Sequence, residues 1–495
     1  MTAMTLAALL PESTDALQPI TGVAIDSRRV QAGDLFLAVP GHDGKHGLDY
    51  LQQALAHGAV AVAYDPAGAR ALPGASVPMV AVPGLGACAG ELASRFYGQP
   101  SQSLFCVGIT GTDGKTSTAY LLAQALDALA QPCAYIGTIG VGRVGRLQTA
   151  THTTPDAASL HRTLAQMRAQ GAQAAALEVS SHALDQDRVA GVDFDVAVLT
   201  NITRDHLDYH GTLEAYIAAK RKLFERAEVK TVVLNQDDPQ GRQWALSLPA
   251  RAQRIVYGID GEPCSAHYVI GRDLDLTPHG MTLTADTHCG RVTLHSPLLG
   301  RFNAYNLLAV LAVLLARGVD LEHAARALAQ LSTVPGRIEG FRGARAQPLV
   351  VVDYAHTPDA LAQILQAVRA HCQGQLIAVF GCGGDRDTGK RPLMGAVAAQ
   401  LADAVIVTDD NPRSEAPQAI TDAIVAGIAL DARARVQVIH DRAEAIARAV
   451  ARAQANDVVV VAGKGHETTQ TYGAEVRAFS DRAFVAELLG SEVAA

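Results

Sequence analysis

The run Gly108-Ile-Thr-Gly-Thr-Asp-Gly-Lys-Thr116 contains the residue types needed to hold phosphate. Its glycines let backbone N–H groups face an anion, Lys115 adds a positive charge, and Thr116 offers a hydroxyl to Mg²⁺. The common phosphate loop, G-x-x-x-x-G-K-[ST], needs glycine at position 109, where this chain has Ile109, so a variant loop is implied. The plainer alternative is a glycine turn with an exposed lysine. The order of apolar strand, glycines, Gly-Lys-Thr and helix favours nucleotide binding.

Further residues suit the same chemistry but are ambiguous one by one. Glu178 lies at the end of the apolar run Ala174–Val179 and supplies a hard oxygen for a phosphate-bound Mg²⁺, although by type alone it is equally a surface acid. His206 and His210 follow another apolar run. Their spacing lies on a loop with no fixed face, so a hydrogen-bonding histidine is a plainer reading than a zinc ligand. Ala218-Ala-Lys-Arg-Lys222 reads by spacing as a solvated basic face. Asn303, Arg337 and Asp353 read as polar loop residues beside apolar segments. In Asp409-Asp-Asn-Pro-Arg413 the planar guanidinium fork suits a carboxylate, and Pro412 stiffens the loop. An exposed arginine on a turn is the equal alternative. Glu467, in Gly463-Lys-Gly-His-Glu467, is suited to a substrate ammonium.

The elements that must position these residues fall into three blocks. In the first, short β-rich runs (Gly22–Ile25, Asp34–Val39, Ala59–Tyr64, Met79–Val82) alternate with helical stretches such as Leu48–His57, and Tyr97–Ser103 reads as a linker. The second opens with the strand Leu104–Thr110 and continues with strands at Ala174–Val179, Val196–Thr200 and Thr231–Leu234, a βαβ grammar that implies a mostly parallel sheet. The third follows Val334-Pro-Gly336. Its strands Leu349–Val352, Leu376–Phe380, Ala404–Val407, Val436–Ile439 and Val458–Val461 alternate with Ala-rich helices, which reads as a doubly wound fold. Ligands in such sheets sit beyond the carboxyl ends of strands, where four of the polar clusters fall.

Composition agrees with a multi-domain globular protein. A length of 495 residues suggests about three domains, and 49% hydrophobic with 18% charged residues excludes a disordered or fibrous chain. Lys+Arg 41 against Asp+Glu 49 leaves −8, without the basic excess that tracks a nucleic-acid backbone. Seven cysteines without a C-x-x-C argue against a disulfide framework and a thiolate zinc site, and read as small buried hydrophobes. The longest apolar run, Leu307–Ala316, is shorter than the ~20 residues that span a bilayer. No basic residue precedes Leu6–Leu10, so no secretory signal is expected and a cytoplasmic location is.

Taken in order, Asp26-Ser-Arg28, Gly108–Thr116, Thr153-Thr-Pro-Asp156, Glu178–His182, Asn201–His210, Ala218-Ala-Lys220, Gly300–Asn303, Pro335-Gly-Arg337, Asp353–His356, Gly383–Arg386, Asp410–Arg413 and Gly463–Glu467 resemble the motifs of the Mur ligases. The resemblance spans nearly the whole chain and points to the diaminopimelate-adding branch. It implies an α/β fold of three domains: a smaller N-terminal α/β domain at 1–100 for the UDP end, a central P-loop-type ATPase domain at 101–335 with a mostly parallel sheet, and a C-terminal doubly wound Rossmann-like domain at 336–495 for the amino acid.

The implied reaction joins meso-2,6-diaminopimelate to UDP-N-acetylmuramoyl-L-alanyl-D-glutamate with ATP, through an acyl phosphate, in cytoplasmic peptidoglycan precursor synthesis, and so bears on cell wall, cell shape and division. ATP contacts are implied at Gly111, Thr112, Asp113, Gly114, Lys115, Thr116, Ser117, Asn303, Arg337 and Asp353. The UDP-muramoyl-dipeptide falls to Ser27, His42, Gly44, Thr153, Thr154, Ser180, Gln186 and Arg188. Diaminopimelate falls to Arg386, Asp410, Asn411, Pro412, Arg413, Gly463 and Glu467, with Arg413 facing its second carboxylate. Lys115, Glu178, His206 and Lys220 are the implied catalytic group. Two Mg²⁺ ions are expected, held by Thr116, Glu178, His206 and Lys220, the last as a CO₂-derived carbamate, which reverses the reading of the basic helix. Asp113 departs from the asparagine of many family members. A monomer without nucleic-acid partners is expected. The competing readings are a lysine-adding or folylpolyglutamate-type ligase, against which Arg413 and Thr153–Asp156 argue, and a nucleotide-dependent switch. A guanine-specific switch would carry an Asn-Lys-x-Asp run, which the sequence lacks.

Overall fold

A computed structural model describes residues 4–11, 13, 17–41, 44–69, 74–344 and 347–491. The chain divides into two compact units: Met1–Ile270 with Thr287–Cys289 and Leu308–Ala327, and Gly271–Asp286 with Gly290–Leu307 and Leu328–Ala495.

Besides the short antiparallel pair of Met4–Thr5 with Pro19–Ile20, the first unit holds two larger sheets. In the smaller, Gly22–Ala24, Asp34–Ala38, Ala61–Tyr64 and Met79–Ala81 lie side by side in that order, all parallel. Leu35, Leu37, Ala61 and Ala63 of this sheet pack against Leu85, Ala89, Leu92 and Phe96 of the helix Leu85–Phe96. The larger sheet runs Arg146–Gln148, Gly140–Arg143, Cys133–Gly137, Ala174–Glu178, Phe105–Thr110, Val196–Leu199, Thr231–Asn235 and Gln253–Ile259. From Cys133–Gly137 onward its pairs are parallel. Its central strands are buried along their whole length save for the half-buried Phe105, as β-strands covered by helices on both faces must be.

The segment Tyr97–Ser103 is not a free linker. Pro100–Ser103 forms a 3₁₀ turn with Pro100 and Ser101 buried, and the buried Tyr97 hydroxyl accepts from Val23 N (3.2 Å) and Arg162 Nε (2.8 Å). Arg162 also pairs with the buried Asp34 carboxylate at 2.8 Å, tying the helix Ala157–Ala169 to the smaller sheet. A polar cluster of this kind is costly to break once buried. It explains why a boundary near residue 100 falls inside one compact unit.

In the second unit, Glu339–Phe341, Leu349–Asp353, Val458–Ala462, Leu376–Phe380, Ala404–Val407 and Val436–Val438 form a sheet in that order. The first pair is antiparallel and the rest parallel. The insertion of Val458–Ala462 between the strands that begin at Leu349 and Leu376 brings the loops after Asp353, Phe380, Val407 and Ala462 to one edge. Arg442 and Asp481, both fully buried, form an ion pair at 2.7 Å between the helices Arg442–Arg452 and Asp481–Leu489. Three long strands, His267–Thr277, Gly280–Thr287 and Gly290–Ser296, lie next to one another in that order. They have no counterpart among the strands read from apolar runs, because they alternate polar and apolar residues and so carry no continuous run.

Two other expectations are corrected. Cys106, Cys133 and Cys382 are buried, but Cys88, Cys264 and Cys372 are half-buried and Cys289 is exposed; all are free. Asn303 is not in a loop but in the helix Arg301–Ala316. Among the described residues no helix is long and apolar enough to cross a membrane.

Candidate active site

The strand Phe105–Thr110 ends where the chain turns through Gly111 (φ +153°) and Gly114 (φ +80°) into the helix Lys115–Ala128. A Cβ on Gly111 would lie 1.8 Å from Thr200 Oγ1, and position 114 needs the left-handed backbone that glycine adopts freely. The loop is held from outside. Asn201 Oδ1 accepts from Asp113 N (3.0 Å), and Thr200 Oγ1 and Asn201 Nδ2 donate to Asp113 O (2.6 and 3.1 Å). The Asp113 side chain itself is exposed. Lys115 Nζ folds back onto the carbonyls of Gly111 and Thr112 (2.8 and 2.7 Å), and burial lowers its pKa. Carbonyl oxygens are the weaker partners, so a phosphate at this loop would compete well for the ammonium.

Glu178 ends the neighbouring strand and is fully buried. Its carboxylate accepts from Thr116 Oγ1 (2.7 Å), Thr138 N (2.8 Å), Thr138 Oγ1 (3.2 Å) and the Tyr135 hydroxyl. Gly137 is required beside it, since a Cβ there would stand 2.0 Å from Glu178 Oε1. Tyr135 and Thr138 were not visible as site residues in the sequence, because they lie on the strand Cys133–Gly137 and just past it, with no motif to mark them.

Lys220, on the helix Leu213–Phe224, does not belong to a solvated face. It is 1% exposed, donates to Gly111 O at 2.7 Å, and lies 4.5 Å from the centre of the Tyr216 ring. Burial, with Lys115 nearby, brings its pKa down to about 6. Tyr216, pushed up to about 12 by burial, hydrogen-bonds Thr112 Oγ1 at 3.0 Å and so joins the loop to this lysine. His206 is exposed, in a left-handed conformation (φ +52°), with its ring 4.8 Å from that of His182 and 6.2 Å from Tyr216. Among the described residues no three His, Cys, Asp or Glu side chains form a set able to hold a metal by themselves. The Thr116–Glu178 pair nevertheless fits Mg²⁺, which is commonly bound by one or two protein oxygens and otherwise by phosphate and water.

Thr153, Thr154 and Ser180 gather around the same strand end. Thr154 Oγ1 donates to Glu178 O (2.7 Å) and accepts from Ser180 N (3.1 Å), and Thr153 Oγ1 lies 3.0 Å from Thr138 Oγ1. Arg188 reaches Thr154 O (3.2 Å) and Gln186 Oε1 (2.9 Å from Nε), and Gln186 donates to the Tyr209 hydroxyl. Gln186 and Arg188 line a cavity of about 570 Å³ whose wall also includes Asp26, Arg29, Gly41 and His152. Asp26 and Gly41 are shared with a second cavity of about 320 Å³ that contains Ser27, Lys45 and His46. Ser27 Oγ donates to Gln53 Oε1 at 2.8 Å, and Gly44 takes φ +77°. His42 lies outside the described residues.

The second unit carries its own cluster. Asp353 Oδ2 accepts from Ile338 N (2.8 Å) and Oδ1 from Ala355 N (2.7 Å), fixing the turn that bears Arg337, and burial raises its pKa. The Arg337 guanidinium lies 5.7 Å from the Tyr354 ring centre. Asn303 is buried and donates to Leu299 O at 2.8 Å.

Asn411 is the hub of the remaining residues. Its Nδ2 donates to Glu467 Oε2 (3.0 Å) and Asp410 Oδ1 (3.2 Å), while its Oδ1 accepts from Thr471 N (3.0 Å). Glu467 also accepts from the fully buried Lys464 Nζ at 2.9 Å. Burial opposes its ionisation, but the Lys464 ammonium and Asn411 outweigh that and hold the carboxyl below its usual range. The Asp410 Oδ2 is buried without a partner, facing Gly463, where a Cβ would come within 2.6 Å. Arg413 is left-handed (φ +52°). Its N donates to Thr471 O (3.0 Å), its O accepts from Gly473 N (2.6 Å), and its Nη1 donates to Gly384 O (2.7 Å). Pro412 O packs against Gly384, and Arg386 is exposed. Lys464 gave no sequence signal beyond its place between two glycines.

Three family profiles match successive parts of the chain: the Mur ligase family catalytic domain at 19–97, the Mur ligase middle domain at 109–314, and the Mur ligase glutamate ligase domain at 336–465. The UDP-N-acetylmuramoyl-L-alanyl-D-glutamate--2,6-diaminopimelate ligase of Alkalilimnicola ehrlichii is 51% identical over 484 residues, covering 96% of each chain. The protein of the same name from Pseudomonas aeruginosa is 48% identical over 97% of this chain and 96% of its own. A solved structure of a UDP-N-acetylmuramoyl-L-alanyl-D-glutamate--2,6-diaminopimelate ligase superposes with a TM-score of 0.79 at 38% identity, covering 99% of both chains. With agreement of this extent in sequence and in three-domain α/β fold, the chain belongs to the Mur ligase family.

Proposed function

We propose that the protein is an ATP-dependent ligase that forms an amide between UDP-N-acetylmuramoyl-L-alanyl-D-glutamate and meso-2,6-diaminopimelate, a step of peptidoglycan precursor synthesis. The observation that carries this reading is the loop set of Asp410, Asn411, Arg413 and Glu467: two carboxylates fixed by Asn411, and, two residues on from it, a guanidinium anchored separately on Gly384 O. An amino acid with two ammonium–carboxylate ends is complementary to that mixture. Relatives close to half identical carry the corresponding name. We assign residues 1–100 to the uridine end, 101–335 to ATP and 336–495 to the incoming amino acid.

The chemistry needs no protein nucleophile. A D-Glu carboxylate oxygen attacks the γ-phosphorus of ATP, the bond to the bridging oxygen breaks, and ADP leaves with that electron pair. The amine nitrogen of diaminopimelate then attacks the acyl carbon, the tetrahedral intermediate expels phosphate, and the nitrogen gives up a proton. Lys115 and the backbone N–H groups of 111–116 hold the phosphates, which is where charge develops. Thr153, Thr154 and Ser180 with Arg188 orient the dipeptide, so that the two reacting groups meet as an intramolecular pair. Asn303, Arg337 and Asp353 complete the nucleotide contacts. Thr116 and Glu178 would hold Mg²⁺, which neutralises phosphate charge when bound.

Lys220 supports a carbamate. With its pKa near 6 the amine is largely neutral at pH 7, and its nitrogen can add to the carbon of CO₂ with loss of one proton, turning a neutral amine into an anionic carbamate. Together with His206 this provides oxygen and nitrogen donors for a second ion. The test is phosphate release. Release that requires both the UDP-muramoyl-dipeptide and an amino acid supports the ligase. Basal ATP hydrolysis indifferent to both would favour a nucleotide switch.

A further inference from the structure

We propose that a cavity of about 520 Å³ in the first unit, lined among the described residues by Arg29, Arg143 and Arg146 and by no acidic residue, is a second anion site that takes a small phosphate-bearing ligand. It is distinct from the 570 Å³ cavity that holds Gln186 and Arg188, although Arg29 lines both. In a chain of net charge −8, three guanidinium groups facing one cavity with a single paired carboxylate, Asp127 on Arg143, make a local excess of positive charge.

The hairpin that supplies two of these groups points the same way. Its register sets Arg146 directly opposite Arg143, and like charges opposite one another on paired strands are destabilising unless something negative lies between or beside them. Asp127 answers one of them, accepting from Arg143 Nη2 at 2.7 Å. Arg143 Nε remains buried without a partner. Arg146 is exposed, and Arg29 is held in the wall by Thr151 (2.7 Å) and Ser159 (3.3 Å). Guanidinium forks match phosphate oxygens in geometry as well as in sign. The rest of the polar wall, including Gln148, Thr163 and Gln166, is of neutral amides and hydroxyls, which suit the hydroxyl or amide groups of a larger phosphorylated molecule. The volume is in the range that holds a nucleotide-sized ligand. Inorganic pyrophosphate and a nucleoside diphosphate share the recognised chemistry.

The proposal stands independently of the ligase reading, and is tested by calorimetric titration of the full chain with pyrophosphate, and separately with ADP and UDP. Titrations in the Lys115→Ala background remove the phosphate loop from the signal. The expected result is a binding event that survives Lys115→Ala and weakens about tenfold or more in Arg146→Glu, the loss expected when a charge-assisted contact is replaced by repulsion. Gln166→Ala, a milder change in the same wall, should weaken it less, in a chain whose thermal unfolding is unchanged. Arg477→Glu, an equal charge change elsewhere on the surface, should leave it intact. Tighter binding of ADP or UDP than of pyrophosphate, still sensitive to Arg146→Glu, identifies a nucleotide; the reverse identifies a free phosphate. No binding in Lys115→Ala, or equal losses in Arg146→Glu and Arg477→Glu, would overturn the proposal.

Discussion

Two residues are most distinctive in the chemistry proposed for this chain, Lys220, which is buried, and Arg413, half-buried on a left-handed turn. Lys220 is buried beside the phosphate loop with one backbone carbonyl as its close acceptor. Lys220→Ala should abolish ligation, with partial recovery in short carboxylic acids; full activity without them would contradict the carbamate. The same lysine predicts a pH effect. Its pKa is about 6 in the folded chain and 10.5 as a free side chain, so between those values the unfolded chain binds more protons. Stability should therefore rise with pH across that window, and Lys220→Met should flatten the slope in CO₂-free buffer, as read by denaturant unfolding at several pH values. Arg413 holds a left-handed backbone that non-glycine residues adopt only when their surroundings fix it. Loss of one buried charge-assisted partner costs on the order of 2–5 kcal/mol, so Arg413→Ala should lower kcat/KM for diaminopimelate by at least about 30-fold. Unchanged kcat/KM would remove Arg413 from the substrate's carboxylate.

At the scale of elements, the ion pair between Arg442 and Asp481 connects stability to the site. Arg442 also donates to Asp409 O, in the loop that follows Ala404–Val407 and bears Asp410, and to Ala462 O, the end of the strand before Gly463. Asp481→Ala would strand a buried guanidinium at a cost of about 3–5 kcal/mol, measurable by chemical denaturation, and should raise KM for the amino acid. What was legible in the sequence follows from the same elements. Buried parallel strands are continuous apolar runs, so Ala174–Glu178, Leu376–Phe380 and Val458–Ala462 stand out, and with them the polar loops at their ends. The strands at His267–Thr277 and Gly280–Thr287 alternate and do not stand out. Partners such as Tyr135 for Glu178, Tyr216 for Lys220 and Lys464 for Glu467 are set by distances across strands and turns, which spacing along one chain does not encode. Lys220 shows the limit most clearly: from its neighbours in sequence it is one charge of a basic face, and only the packing of its helix buries it.

For the whole molecule, the charge of −8 is compatible with the proposed handling of anions, because the cations proposed for it are few and fixed: Lys115 on its loop, Arg188 beside Thr154, Arg413 in its left-handed turn. Three family segments along one chain fit a reaction with three substrates, each needing its own rigid wall. The choice of amino acid is what sets this ligase apart within the proposed function. It is tested most directly by measuring kcat/KM for meso-diaminopimelate and L-lysine side by side, with ATP and the UDP-muramoyl-dipeptide saturating, for the wild type and Arg413→Ala. The wild type should strongly prefer diaminopimelate, and the variant should lose most of that preference. Equal use of both amino acids by the wild type, or preference for lysine, would contradict it.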